Sequence, residues 1–252
     1  MTLETSRRTF LQGTGALATT ALIVGLTLGG ALAKAESARQ PFTPFVKIAP
    51  DGRVTAIIKH FEMGQGTTTG LTTLIAEELG IDLDDMLYEF APSDNKRYAN
   101  LAFGSQGTGG STAIANSFMQ YREAGAAARE MLLTAAAGAW KIDVKTLKLD
   151  KGRISDGNKS ASIADFVAAA AKLEVPKKPR LKDPRDFKWI GNPDTYRLDS
   201  TAKINGTAQY AMDIQIDGQM VAVIKRSPRF GGQLLSFDRE EAANVPGFIR
   251  SA

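Results

Sequence analysis

Between residues 45 and 91 the apolar positions change period twice, from strand to helix and back to strand. Residues 45–49 and 54–59 are rich in Val and Ile and flank Pro50-Asp51-Gly52-Arg53, which predicts a β-hairpin. Leu71, Leu74, Ile75 and Leu79 then recur at helical spacing, predicting a helix over 68–79 that Gly80 closes. Residues 86–91 read as another strand and 94–110 as a loop. An Ala-rich run over 111–140 predicts one long helix, with Phe118, Tyr121, Met131, Leu132 and Leu133 available for burial. A second hairpin is expected at 147–154, and Ser162 is placed to cap a short helix. Further on, 206–213, 220–226 and 233–237 read as strands, with a short helix near 238–243. No internal repeat is visible.

Lys177, Lys178, Arg180, Lys182, Arg185 and Lys188 are spaced by Pro176, Pro179 and Pro184, the composition of a solvated linker, with docking to another subunit as a second reading. Basic residues interleaved with aromatics on a folded face would signal nucleic acid, and that pattern is lacking. The 252 residues therefore divide into an N-terminal segment 1–35, a first module 36–174, a linker 175–196 and a second unit from 197. The chain stops just after Val245-Pro246-Gly247, so this second unit reads as an interrupted domain.

Segment 1–35 carries an address. Ser6-Arg7-Arg8-Thr9-Phe10-Leu11 precedes an uncharged run over 12–33 that ends in Ala31-Leu32-Ala33 and Ala33-Lys34-Ala35. A positive start, an apolar middle and a small-x-small end make an export signal, cleaved after Ala33 or Ala35. The paired arginines make it resemble a twin-arginine signal, which predicts a periplasmic destination. Membrane association follows if the segment is not cleaved.

Composition narrows the chemistry. The net charge is +4, with no cysteine and one histidine, His60. Disulfides, thiolate nucleophiles, iron–sulfur ligation and multi-histidine metal sites are excluded. An enzyme built from this chain must borrow its chemistry from a bound cofactor or from carboxylates.

Two segments could hold such a group: Gly64-Gln65-Gly66-Thr67 and Gly107-Thr108-Gly109-Gly110-Ser111-Thr112. Each is a glycine-rich turn feeding a helix, and such junctions aim backbone N–H groups and a helix N-terminus at one point. A tight turn capped by Thr or Ser has the same signature. Neither segment is a P-loop, and neither has the G-x-G-x-x-G spacing.

The motif Glu62-Met63-Gly64-Gln65-Gly66, the later T-G-G-S and the stretch Arg122-Glu123-Ala124-Gly125-Ala126-Ala127-Ala128-Arg129 together resemble the molybdopterin-binding large subunit of the xanthine dehydrogenase and aldehyde oxidase family. The similarity is greatest to the beta subunit of isoquinoline 1-oxidoreductase-type enzymes. Leu181-Lys182-Asp183-Pro184, Arg197-Leu198-Asp199, Lys203-Ile204-Asn205-Gly206 and Ser227-Pro228 resemble the approach to that family's hammerhead domain and its start. The resemblance implies an α+β fold: a first molybdopterin-binding module, then an incomplete hammerhead-type α/β domain.

It also implies a site. Gln65 would lie near the molybdenum end of the pterin, with Gly64, Gly66 and Thr67 shaping its loop. Gly110, Ser111 and Ala113 would contact the pterin and its phosphate tail, with Thr108 and Gly109 beside them. The cofactor would be molybdopterin cytosine dinucleotide, its metal held by dithiolene sulfurs and by no protein ligand. Electrons would leave through a [2Fe-2S] small subunit, and the substrate would be an N-heterocycle or an aldehyde.

The family's base is a glutamate near the C-terminus of a longer chain. None of Glu77, Glu78, Glu89, Glu123 or Glu130 lies in a matching motif, so no residue is assigned that role. Glu62 reads as a loop hydrogen-bonder and His60 as a structural histidine. Two other readings stay open: a truncated or split chain, inactive alone or completed by a second polypeptide, and a membrane-anchored electron-transfer adaptor.

Overall fold

A computed structural model describes residues 22–24 and 45–250. The described chain divides into two units, the first ending at Thr207. The first mixes helices and sheets. Its main sheet has the order β1 (Leu22–Val24), β2 (Val46–Ile48), β3 (Val54–Ile58), β4 (Met86–Phe90). β1–β2 and β2–β3 are antiparallel, with Lys47 opposite Thr55, and β3–β4 is parallel, with Ala56 opposite Tyr88. The export signal expected over 1–35 lies outside the described residues apart from β1. The hairpin forms around the expected turn.

A parallel pair needs a crossover, and α1 (Thr67–Leu79) supplies it. Gly80 ends this helix in the left-handed region, φ 77°, as its sequence position suggests. A side chain could not replace it, because a Cβ there would lie 2.7 Å from the carbonyl oxygen of Leu149.

Helix α3 (Ala113–Trp140) packs along α1. Their contact explains the stretch over 122–129. Arg122, Gly125 and Arg129 share one helical face, as i, i+3 and i+7 positions do. At Gly125 a Cβ would stand 2.9 Å from the Ile75 oxygen, so only glycine lets the helices come this close. Arg122 and Arg129 both reach the Glu78 carboxylate, at 2.6 and 3.2 Å. The core gathers Leu71, Ile75 and Leu79 of α1 with Tyr121, Met131 and Leu132 of α3 under β2 and β3. A small antiparallel sheet, β5 (Lys148–Asp150), β6 (Arg153–Ser155) and β7 (Ser160–Ser162), and helix α4 (Ala164–Ala170) complete the module. The Ser162 hydroxyl accepts from the Ala164 N–H at 3.2 Å, close to its expected capping role.

Four expectations need correction. The loop over 94–110 contains a short helix, α2 (Asn95–Tyr98), because Asp94 caps the N–H groups of Lys96 and Arg97. Helix α3 starts at Ala113 and not Ser111, because Ser111 is left-handed, φ 55°. The basic stretch is no solvated linker: its backbone is bound to two buried carboxylates of α1. Glu77 accepts N–H bonds from Lys188 and Trp189 at 2.8 and 2.7 Å, and Glu78 accepts from Lys182 at 2.9 Å. The guanidinium of Arg122 lies between the rings of Phe118 and Phe187, 5.6 and 4.9 Å from their centroids.

The fourth correction concerns the second unit. Among the described residues no strand forms at 206–213, 220–226 or 233–237, and the unit itself spans 208–250 of them. A strand is stabilised by its partners, and these segments find none; Val223 and Leu235 are 91% and 94% exposed. The unit holds one helical turn at Ala211–Asp213 and one short helix, α6, at Glu240–Ala243, the latter where it was expected. Between α4 and α6, helix α5 (Ser200–Ile204) belongs to the first unit.

Gly125→Ala should destabilise the protein by ~1–3 kcal/mol through forced separation of α1 and α3. Gly138→Ala, in the same helix with nothing within 4 Å of the added Cβ, should stabilise it by ~0.5–1 kcal/mol. Urea unfolding of both variants checks the pair; equal effects would remove the close-approach explanation.

Candidate functional site

The two glycine-rich loops meet at the carboxyl ends of β3 and β4. After β3 the chain runs through Lys59 and His60, both buried, into the first loop. Tyr121 covers this exit: its hydroxyl donates to the Ile57 carbonyl at 2.6 Å and accepts from the Lys59 N–H at 3.0 Å. The Lys59 amine has no carboxylate partner among the described residues. It donates to the Ala99 carbonyl and to Gln120 Oε1, at 3.0 and 2.5 Å, and burial lowers its pKa to about 8.

The first loop is organised by Glu62. One carboxylate oxygen accepts the N–H groups of Gly64 and Gly66 at 2.8 and 3.0 Å, and the other accepts that of Thr68 at 3.0 Å. Burial opposes ionisation of Glu62, but these N–H bonds outweigh it and lower its pKa. Its carboxylate therefore occupies the positive end of α1, where negative charge is favoured. Gly66, at φ 88°, forms the left-handed corner before the helix.

The sequence suggests that this loop aims free N–H groups at a ligand. That part of the expectation is corrected, because the chain's own carboxylate takes them. The Gln65 amide is folded onto the loop, donating to the Phe61 carbonyl at 2.7 Å and accepting from the Met63 N–H at 2.5 Å. It is exposed and retains a second N–H hydrogen. The Thr67 hydroxyl donates to the Phe61 carbonyl at 3.2 Å.

The second loop is arranged differently. Thr108 ties it to the first: its hydroxyl accepts from the Phe61 N–H at 2.9 Å. Gly109 accepts from the backbone and hydroxyl of Thr112, at 3.2 and 2.8 Å. Gly110 and Ser111 follow, both exposed and left-handed at φ 58° and 55°. Thr112 gives α3 no side-chain cap. The N–H groups of Ala113, Ile114 and Ala115 meet no acceptor among the described residues, and the first bond of the helix is Asn116 N–H to the Thr112 carbonyl at 3.0 Å. Thus Gly110, Ser111 and Ala113 surround an open helix N-terminus, while Gly64, Gly66 and Thr67 surround a filled one.

Beneath the loops runs a line of hydrogen bonds. His60 Nε2 meets Ser117 Oγ at 3.0 Å, which donates to Asn116 Oδ1 at 3.3 Å. Asn116 donates to Asn100 Oδ1 at 2.5 Å, and Asn100 to Thr112 Oγ1 at 2.8 Å. Burial, then the nearby Lys59 ammonium, lowers the His60 pKa to about 4, so the ring is neutral at pH 7. Its place in this line is structural. A cavity of about 190 Å³ opens beside it, lined by Lys59, His60, Phe61, Phe90, Asn95 and Gln106.

The sequence reading missed Asn100, Asn116, Ser117 and Gln120. A signal was present: Thr112, Asn116 and Gln120 recur every four residues at the polar start of an otherwise Ala-rich helix. It also gave no local role to Arg197, Asp199 and Lys203. Arg197 and Lys203 reach the first loop, with Arg197 Nη1 2.7 Å from the Gly64 oxygen, and Asp199 holds both cations.

Among known proteins, the family model described as a molybdopterin cofactor-binding domain matches residues 8–223. The membrane-bound aldehyde dehydrogenase [pyrroloquinoline-quinone] of Gluconacetobacter polyoxogenes is 32% identical over 82% of this chain and 27% of its own. The isoquinoline 1-oxidoreductase subunit beta of Brevundimonas diminuta is 29% identical over 98% of this chain and 36% of its own. A solved structure, reconstituted CO dehydrogenase from Oligotropha carboxidovorans, aligns at TM-score 0.41 and 26% identity over 49% of this chain and 15% of that one. The chain thus spans 27% and 36% of the lengths of these two relatives.

His60 sets an acid sensitivity. Its folded pKa lies below the ordinary 6.5, so its contribution is complete above pH 6.5 and is lost as pH falls toward 4. At ~1.4 kcal/mol per unit, stability should drop by about 2 kcal/mol between pH 7 and pH 5. Urea titrations of the native protein and His60→Gln should show a flatter profile for the variant. Parallel profiles would assign the acid sensitivity to other groups.

Proposed function

The chain belongs to the molybdopterin cofactor-binding domain family, and from that membership we propose that it is the N-terminal part of an exported molybdenum hydroxylase large subunit. Its two loops would hold molybdopterin of the cytosine dinucleotide type. The observation that carries this reading is the open N-terminus of α3 against Gly110 and Ser111. Three N–H groups without acceptors among the described residues, beside an exposed hydroxyl, suit a phosphate or pyrophosphate tail. Exposed Gln65, with an amide hydrogen to spare, suits a polar group at the other end. The donor set is made of amides and hydroxyls, which fits a pterin that brings its own metal ligands.

When bound, that cofactor supplies the redox chemistry for hydroxylating an N-heterocycle or oxidising an aldehyde, with electrons passing to a [2Fe-2S] small subunit. This chain's residues bind and orient. Ser111 and the first N–H groups of α3 hold negative charge, Gln65 offers a hydrogen bond, and the Glu62 carboxylate fixes the Gln65 loop. The general base is assigned to no residue here. Catalysis would also require the part of the large subunit corresponding to the rest of these relatives, either on this polypeptide or on a second one.

Residues 197–252 would begin a hammerhead-type domain after the strap over 175–196. The paired arginines at Arg7 and Arg8 support twin-arginine export to the periplasm. Among the described residues no helix is long and apolar enough to cross a membrane.

The test is molybdenum analysis and pterin fluorescence on protein purified alone and after co-expression with adjacent genes. Both signals should appear in at least one preparation, and Ser111→Ala should lower pterin content. Losing one hydrogen bond to a charged group costs ~1.5–3 kcal/mol, or about ten- to a hundredfold in affinity. Absence of molybdenum and pterin from both native preparations would overturn the proposal.

A further inference from the structure

We infer that Arg197, backed by Asp199 and Lys203, is a positioning residue that holds the Glu62–Gly66 loop in shape to present Gln65; this rests on the cofactor reading above. Packing does not fix this loop. Gly64 and Gly66 are at φ 100° and 88°, and a Cβ at either would meet nothing within 4 Å. The exposed side chains of Phe61, Met63 and Gln65 bury little that would hold it. A segment with two unpacked glycines is expensive in backbone entropy to keep in one conformation. Polar contacts must therefore supply the order.

Glu62 supplies it from inside the loop and Arg197 from outside. One arm of the Arg197 guanidinium donates to the Gly64 carbonyl at 2.7 Å, and the other to Glu62 Oε1 at 3.1 Å. The loop is thus gripped at a carbonyl and at the carboxylate that gathers its N–H groups.

The fork is itself oriented. Asp199 receives Arg197 Nε at 3.0 Å and Nη2 at 2.9 Å, a paired geometry that an ammonium cannot reproduce. Lys203 binds Asp199 Oδ2, the oxygen that also accepts Arg197 Nη2, and lies 3.9 Å from Glu62 Oε1. Asp199 is 5% exposed, and the Arg197 guanidinium holds its carboxyl well below the usual range, at about 2, so it is charged at any working pH. Leu198 anchors the segment by donating its N–H to Thr69 Oγ1 at 3.0 Å. Two cations and two buried carboxylates thus form one network, and the loop that carries Gln65 hangs from it.

Hydrogen exchange of the whole protein, with pterin content measured in parallel, tests the assignment in Arg197→Ala and Arg197→Lys. In Arg197→Ala, exchange over 61–68 should accelerate at least about tenfold while exchange over 182–190, held by Glu77 and Glu78, stays unchanged. Pterin content should fall at least about threefold, with Arg197→Lys intermediate in both readouts, because the lysine keeps the charge and loses the fork. Unchanged exchange over 61–68 overturns the clamp. Faster exchange with native pterin content overturns the positioning role. A native protein without pterin overturns the cofactor reading instead, and exchange alone then decides whether the clamp exists.

Discussion

The carboxylates of Glu77 and Glu78 are fully removed from solvent on adjacent positions of α1, and the first unit is assembled around that constraint. A buried, unpartnered carboxylate costs several kcal/mol, so the surrounding chain must bring donors to it. Their own helix offers none, because the preceding residues on their face are Thr73, Leu74 and Ile75, and the Thr73 hydroxyl donates to the Thr69 carbonyl. Glu78 therefore takes two arginines from α3, spaced so that both face α1, and the N–H of Lys182. Glu77 takes a fan of backbone N–H groups from Lys188, Trp189 and Ile190. The basic strap folds back because its N–H groups are the missing partners. Gly125 belongs to the same constraint, since the arginines reach Glu78 only when the helices touch.

From the strap the constraint passes to the site. The strap leads into the segment that carries Arg197 and Asp199, which reach the first glycine-rich loop. Buried charge on one face of α1 thus locates the clamp at the other end of the helix. The same helix begins with its positive end neutralised by Glu62, so its N-terminus is structural. Helix α3 begins without such a partner among the described residues, and the line from His60 to Thr112 holds its start against the first loop. Two loops that look alike in sequence are therefore unlike in electrostatics: one is closed by its own acid, and at the other no carboxylate among the described residues meets the helix end.

The hairpin at 45–59, α1 with its Gly80 cap and the long helix to Trp140 were legible from periodicity and turn residues alone, because local rules decide them. Both loops and their attachment to helices were legible for the same reason. The strands expected at 206–213, 220–226 and 233–237 do not form, since alternation describes a half-buried surface and these segments find nothing to bury against among the described residues. The strap was misread because a run of lysines and prolines describes side chains, while its anchoring uses backbone N–H groups, which every non-proline residue carries.

The sequence by itself determined the element types of the first unit, the lack of thiolates and of any second imidazole, and the motifs that link the chain to its family. Those features depend on residue identity and short spacing. Only the tertiary structure decided that Glu62 fills one helix end and leaves the other open, that His60 is neutral, and that Arg197 reaches across 133 positions to Gly64. Each of those depends on which groups meet after folding. Burial and partner distance set hydrogen bonding and ionisation, and neither quantity is written in local sequence.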